Sequence, residues 1–348
     1  MPIAILKHSS TLEYDGERSG GAGIIGQLVL FTTLLFSGDR ILETLPLVSI
    51  LINNYNYGHF LADAIDSALN QTYPHIEVVV VDDGSSDNSR EIIAQYNNRI
   101  KPILKSNGGQ ASAFNAGFKA SQGDLICFLD SDDIFLLDKI EKIAYTFNQY
   151  PDIGWCFHPL KLFDNTTESE LQDPYFPSEA QGKSGVYDLR ANIKQGRLTG
   201  FIPCLPATSG LCFRRSLLAQ ILPMPEAESV SISDSYIKYI ALALSPGFCL
   251  LEKIGLQRIH QHNIHTLSSH KASLSVKLQV VTAYWMKTNF PIISKYTNTM
   301  LAFGICLAWR RKVKDEICNY YIKAYFSSIS PGEIAKIYAR AIYYFLKP

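Results

Sequence analysis

The sequence has no excess charge of either sign, no paired-cysteine motif and no unbroken apolar segment long enough to cross a bilayer. Lysine plus arginine and aspartate plus glutamate number 32 each in 348 residues. With no global field to draw it to nucleic acid or an anionic membrane, the chain must hold any charged ligand locally. The seven cysteines, Cys127, Cys156, Cys204, Cys212, Cys249, Cys306 and Cys318, are scattered and form no C-x-x-C pair. That argues against a disulfide framework and a cysteine zinc site, and fits a reducing, cytoplasmic setting. Ser19 to Gly38 is uncharged and contains the largely apolar run Leu28 to Phe36, but Gly20, Gly21, Gly23, Gly26, Gln27 and two threonines dilute it. Residues 1–45 are therefore expected to form an N-terminal extension, mobile or membrane-associated. Gly21-Ala22-Gly23-Ile24-Ile25-Gly26 matches G-x-G-x-x-G, yet polar Glu13 to Ser19 precedes it where a dinucleotide site needs an apolar strand. This argues against a redox function.

From Pro46 onward, short apolar runs alternate with helical patterns, which predicts an α/β fold with a mostly parallel central sheet flanked by helices. Strands are expected over Val48–Asn53, Ile76–Val81, Ile100–Lys105 and Leu125–Leu129, and helices over Phe60–Leu69, Ser89–Tyr96, Ala111–Ala120 and Asp138–Tyr150. Val78 to Val81 are apolar at every position, as in a central strand covered on both faces. Asn88 and Glu91 read as a capping pair, and Pro102 sits near a strand start, where proline is tolerated. Proline, glycine and asparagine clusters from Asp152 to about Pro206 predict loops that wall a site. From about Ser273 the sequence turns to tyrosine-rich helical segments, Ile317–Phe326 and Ile334–Phe345, with Arg310, Arg311 and Lys312 between apolar runs. A helical C-terminal region over 271–348 is expected, either packed on the main domain or amphipathic and touching a membrane.

Two acidic clusters follow apolar strands: Asp82-Asp83 after Val81, and Asp130-Ser131-Asp132-Asp133 after Leu129. In an open parallel sheet both emerge at the carboxyl edge, where ligands bind. Adjacent carboxylates repel, so the second cluster calls for a cation or for hydrogen-bond donors. Mg2+ or Mn2+ held by one or two carboxylates keeps coordination positions that a diphosphate can fill. Helix capping is the plainer reading of a lone Asp-Gly-Ser turn, and a second acidic triplet weighs against it. Gly84 would let the backbone pass close to a ligand, and Asn107-Gly108-Gly109-Gln110 is a second loop of that kind.

Val48-Ser49-Ile50-Leu51-Ile52-Asn53-Asn54-Tyr55-Asn56, Gln71-Thr72-Tyr73-Pro74, Val80-Val81-Asp82-Asp83-Gly84-Ser85-Ser86-Asp87, Asn107-Gly108-Gly109 and Phe128-Leu129-Asp130-Ser131-Asp132-Asp133 resemble, in that order, the signature of family 2 glycosyltransferases with the GT-A fold. The resemblance is close from Pro46 to Ile143 and looser to Ser268, so a catalytic domain is expected over 46–270. It implies an inverting transferase that uses Mg2+ or Mn2+ to move a sugar from a UDP-, GDP- or dTDP-linked donor onto a glycan or lipid-linked acceptor in cell-envelope, polysaccharide or glycolipid synthesis. No nucleic acid partner is implied, and peripheral contact at the inner face of the membrane is.

Carried over position by position, the resemblance implies that Asn53, Tyr55, Asp82, Asp83, Asn107, Gly108, Asp130 and Ser131 line the donor nucleotide. Asp132, with Asp130 and His260, would hold the metal, and Ser209, Gly210 and Arg214 would face the acceptor. Asp234, ahead of an apolar helix, matches the base, although Ile232 and Ser233 stand where many members carry a further acidic residue. Arg258-Ile259-His260 with Asn263 resembles the late motif, and His262 and His265 lie close by. Arg214, Arg215, Arg258 or His260 would assist the leaving diphosphate, whose charge the metal stabilises, while Asp234 accepts the acceptor proton. Two rivals stay open on sequence grounds: a nucleotidyltransferase, which releases pyrophosphate, and a non-catalytic binder of nucleotide sugars or carbohydrate.

Overall fold

The computed structural model describes residues 45–164, 169–171, 182–197, 202–226, 234–260 and 271–347. The diluted apolar run, the glycine fingerprint, Ser233, His262, Asn263 and His265 all lie outside the described residues. β1 (Val48–Asn54), α1 (Gly58–Leu69), β2 (Ile76–Asp83), α2 (Ser89–Gln95), β3 (Lys101–Lys105), α3 (Gly109–Ala120) and β4 (Leu125–Asp130) follow one another as βα units. β1 pairs in parallel with β2 and β4, and β2 with β3. All four strands thus end at one edge, where Asn53 lies in register with Val81 and with Asp130. β3 is an edge strand, so Pro102 leaves no central ladder bond unmade.

β5 (Ile134–Phe135), α4 (Lys139–Gln149), β6 (Trp155–Phe157), β7 (Lys161–Asp164), β8 (Ser169–Leu171), β9 (Gly185–Tyr187), α5 (Arg190–Lys194), β10 (Leu211–Arg214), α6 (Arg215–Ile221), α7 (Asp234–Leu244), β11 (Gly247–Cys249) and β12 (Gly255–Ile259) come next. The large sheet runs β3-β2-β1-β4-β10-β6-β11-β9, and β5-β12-β7-β8 form a smaller one. β10 enters antiparallel between β4 and β6.

Strand alternation divides the core between two faces. Ile50, Ile52, Val78 and Val80 pack with Leu61 and Ile65 of α1 and Ile140 of α4. Leu51, Val79, Val81 and Phe128 pack with Phe114 of α3 and Tyr236 of α7. The C-terminal helices are α8 (Lys271–Asn289), α9 (Ser294–Arg310), α10 (Glu316–Ser327) and α11 (Pro331–Leu346). Their Val280, Leu301, Ile305, Ile337 and Ala341 join the second cluster, and residues 46–348 form one compact unit.

The expected Asn88 cap is replaced by its neighbour. Asn88 makes no side-chain cap bond, whereas Asp87 accepts from the backbone N–H of Ser89 at 3.1 Å and from that of Gly58 at 2.8 Å. One carboxylate therefore fixes the starts of α1 and α2 together.

Candidate active site

At the end of β2, alternation sends Asp82 and Asp83 to opposite faces. Asp82 is 0% exposed and accepts from Asn54 Nδ2 at 3.0 Å, Arg90 Nε at 2.9 Å and the Ser85 N–H at 3.2 Å. Burial would raise its carboxyl, but these donors prevail and hold it below the ordinary value. Asp83 accepts from Lys105 Nζ at 2.6 Å and from the N–H groups of Gly108 and Gly109 at 3.0 and 2.7 Å. Both carboxylates are engaged by the protein's own donors. Asp82 staples β1 to α2, and Asp83 anchors the loop that opens α3. The close approach at Gly84 (φ +80°) is likewise internal, since an added Cβ would stand 2.5 Å from the Asn107 nitrogen. Asn107, Gly108 and Tyr55 are exposed at this edge.

The β4 tip is built differently. One oxygen each of Asp130, Asp132 and Asp133 lies within 4.8 Å of the others. Burial first, then the charges of Asp132 and Asp234, push Asp130 up to about 8. Burial, then the charges of Asp132 and Asp130, also raise Asp133 well above the carboxylate range, although Ser209 Oγ donates to it at 2.5 Å and the Arg258 N–H at 3.1 Å. An all-oxygen set under mutual repulsion suits a hard divalent cation, which would relieve it. His260 Nε2 donates to Asp132 Oδ2 at 3.1 Å. That contact places the His260 ring beside the metal-side carboxylate, where it can orient Asp132.

Asp234 opens α7, and its charge reaches Asp130. Lys238, one turn on, pairs with it at 3.1 Å and also donates to the Pro206 carbonyl at 2.6 Å. Asn53, beside Asp130 in register, keeps both amide atoms buried with no hydrogen-bond partner. An amide in that condition costs free energy until something polar meets it. Ser131 is 2% exposed and presents little to a ligand.

Three acceptor-side expectations are corrected. Ser209 is fully buried under the triplet, where its Oγ accepts from the Asp130 N–H at 3.0 Å and donates to Asp133. Gly210 is packed where a Cβ would strike the His158 carbonyl and Pro206. Arg214 pairs in register with Leu125, at the opposite edge of the sheet, and its guanidinium binds the Phe147 and Ile153 carbonyls at 2.6 and 2.8 Å. Antiparallel β10 carries it away from the site. Arg215 holds the Gly123 carbonyl nearby, and Arg258 Nη2 donates to Asp63 at 2.6 Å.

Sequence reasoning passed over Lys139, Tyr57 and Lys238. Lys139 Nζ is buried, donates to the Ser209 carbonyl at 2.6 Å and lies 3.2 Å from the Phe135 ring centre. Burial brings its ammonium down to about 8. Its signal was its place one turn before Ile143 and two before Phe147, on the apolar stripe of α4. Tyr57 precedes α1, meets the His260 ring edge-on at 5.6 Å, and has its phenol raised by burial and then by Asp132, Asp130 and Asp133.

Residues 49–221 match the family described as glycosyl transferase family 2. An uncharacterized glycosyltransferase of Nostoc sp. is 37% identical over 230 residues, covering 65% of this chain and 69% of that one. A Bacillus subtilis protein named as a candidate teichuronic acid biosynthesis glycosyltransferase, TuaG, is 36% identical over 141 residues, 37% of this chain and 56% of its own. Among solved structures, S. aureus TarS residues 1–349 in complex with UDP-GlcNAc superposes with a TM-score of 0.60 at 17% identity, covering 86% of this chain and 89% of that one. At that identity the likeness shows the fold, which is GT-A. The chain belongs to glycosyltransferase family 2, and it is a glycosyltransferase enzyme.

Proposed function

We propose that the chain transfers a sugar, with inversion, from a nucleotide-diphosphate donor to a hydroxyl of a cell-envelope glycan or lipid-linked acceptor, with Mg2+ or Mn2+ as cofactor. The observation that carries the reading is Asp130 lying within electrostatic reach of both the metal-side Asp132 and the helix-start Asp234. The relatives named for teichuronic acid synthesis and for a UDP-GlcNAc complex favour an envelope acceptor and a UDP-linked donor.

Asp132 and Asp130 would hold the cation, which when bound stabilises the charge gathering on the leaving diphosphate as a Lewis acid. Asp234 takes the proton of the acceptor hydroxyl as its oxygen bonds to the anomeric carbon. Lys238, tethered to Pro206, holds that carboxylate in place. The unsatisfied Asn53 amide and the Asp130 carboxylate offer hydrogen bonds to the ribose or donor sugar, while Tyr55 and the Asn107-Gly108 backbone border the nucleoside. Asp83 acts one step back, by fixing the Gly108 and Gly109 N–H groups.

The test is a screen of UDP-, GDP- and dTDP-sugars, with Mg2+ or Mn2+, for a rise in melting temperature and then for nucleoside diphosphate release. Metal-dependent release of nucleoside diphosphate is expected. Release of pyrophosphate, or metal-dependent donor binding with no turnover against any acceptor, sinks the reading.

A further inference from the structure

Residues 291–348 hold nine lysines and arginines against three acidic residues, a surplus of six positive charges in a chain that sums to zero. The remainder, with the site carboxylates, is negative by the same six. Within the basic segment, α11 is apolar on two sides. Ile337 and Ala341 are buried on the side that packs against α9. Tyr338, Ile342, Phe345 and Leu346, spaced as one helical stripe, are between 41 and 75% exposed. Trp309, from the end of α9, extends the stripe. Its ring lies parallel to that of Tyr338 at 6.4 Å and edge-on to that of Phe345 at 6.2 Å.

This apolar stripe is held in place and is not a frayed end. Ser330 and Glu333 cap the start of α11 reciprocally, and Arg310 Nη2 donates to the Tyr344 and Phe345 carbonyls at its close, at 2.8 and 3.2 Å. Arg311 and Lys312 are exposed just after Trp309, and Lys336 and Lys347 are exposed elsewhere around α11. Among the described residues no helix is long and apolar enough to cross a membrane, so a lipid contact here would lie on the surface.

We infer that α11, with Trp309, docks the enzyme onto an anionic lipid surface. Tyr and Trp rings, with an apolar body and a polar edge, close to the basic residues after Trp309, match the interface between acyl chains and headgroups. Charge complementarity selects the same partner: the basic segment is attracted to anionic headgroups and the acidic remainder is repelled, which also orients the molecule. The inference rests on the proposed function for its purpose, since a lipid-linked acceptor is met where the enzyme sits.

Sedimentation of the full chain with vesicles of phosphatidylcholine alone, or mixed with phosphatidylglycerol, tests it. Binding to the mixed vesicles is expected, weakening as salt rises, with far less to the neutral ones. Ile342→Asp with Leu346→Asp, and separately Lys336→Glu with Lys347→Glu, should each weaken that binding by about tenfold or more. Transfer to a water-soluble acceptor should be unchanged in both double variants. Equal binding to the two vesicle types, binding that survives both double variants, or self-association lost in the Asp variants in place of vesicle binding overturns the inference. Vesicle binding reports on α11 and soluble transfer on the active site, so either can fail while the other stands.

Discussion

Asp82 accepts hydrogen bonds from Asn54, Ser85 and Arg90, whereas Asp130 has Asp132 and Asp234 for charged neighbours. Both carboxylates end parallel strands at one edge of the same sheet. The β2 tip is neutralised from within: Arg90 and Lys105 supply charge, and backbone N–H groups supply donors. The β4 tip receives Ser209, the Arg258 N–H and His260, none of which brings a fixed cation to Asp130. An acidic motif at a strand end is thus a ligand site in proportion to what the protein leaves uncompensated. The Asp-Asp pair at β2 is met by cations and donors within the fold, whereas the β4 triplet repels itself more than its own donors relieve.

The widest gap between the two tips should open in activity. Asp132→Ala is expected to lower transfer by about a thousandfold and to abolish the metal-dependent part of donor affinity, read by calorimetry with and without Mn2+. Asp234→Asn should cost a comparable amount in kcat, about a hundred- to ten-thousandfold, yet leave donor affinity intact. Wild-type turnover in the Asn variant would remove Asp234 from the mechanism. Donor affinity unaffected by Asp132→Ala would show that the triplet does not hold the cation.

A smaller effect tests what lies beneath the triplet. Lys139 joins the Ser209 carbonyl, and Ser209 in turn holds Asp130 and Asp133. Lys139→Met keeps the stem and removes the charge and the donor. Losing the bond to a buried carbonyl should cost about 1–3 kcal/mol of stability. If Lys139 also positions the triplet, the metal concentration for half-maximal activity should rise several-fold, which a purely structural loss would not cause. Lys139→Arg is bulkier in a closed site and is not expected to rescue.

Much of the donor half was legible because its signals are local. Val78 to Val81 read as a buried central strand, and the structure covers them on both faces. The acidic triplet after Leu129 read as a cation site from its composition alone, and its three side chains do converge. The partners of Asp82 and Asp83, namely Arg90, Lys105 and the Gly108 N–H, were not legible because they are set by tertiary packing between loops. Arg214 was misjudged for a topological reason: the motif gives no strand direction, and antiparallel β10 delivers its end to the far edge. The C-terminal helices were expected either packed on the main domain or touching a membrane; α8 to α11 share the core, and α11 keeps an apolar outer stripe.

The smallest effect lies at the β2 tip, in stability more than in chemistry. Asp82→Asn keeps the shape and one acceptor oxygen but loses the charge that Arg90 and the Ser85 N–H address, which should cost about 1–2 kcal/mol. Because the donors hold the folded Asp82 carboxyl below its ordinary value of 3.8, the ionised side chain contributes stability above that pH. The contribution is lost as the pH falls through the folded value, where both folded and unfolded chains carry the proton. The melting-temperature gap between wild type and Asp82→Asn should therefore be constant from about pH 5 to 7 and narrow below about pH 4. A gap that does not narrow at all below about pH 4 would mean that the side-chain amide disrupts packing and that the carboxylate charge is not what joins β1 to α2.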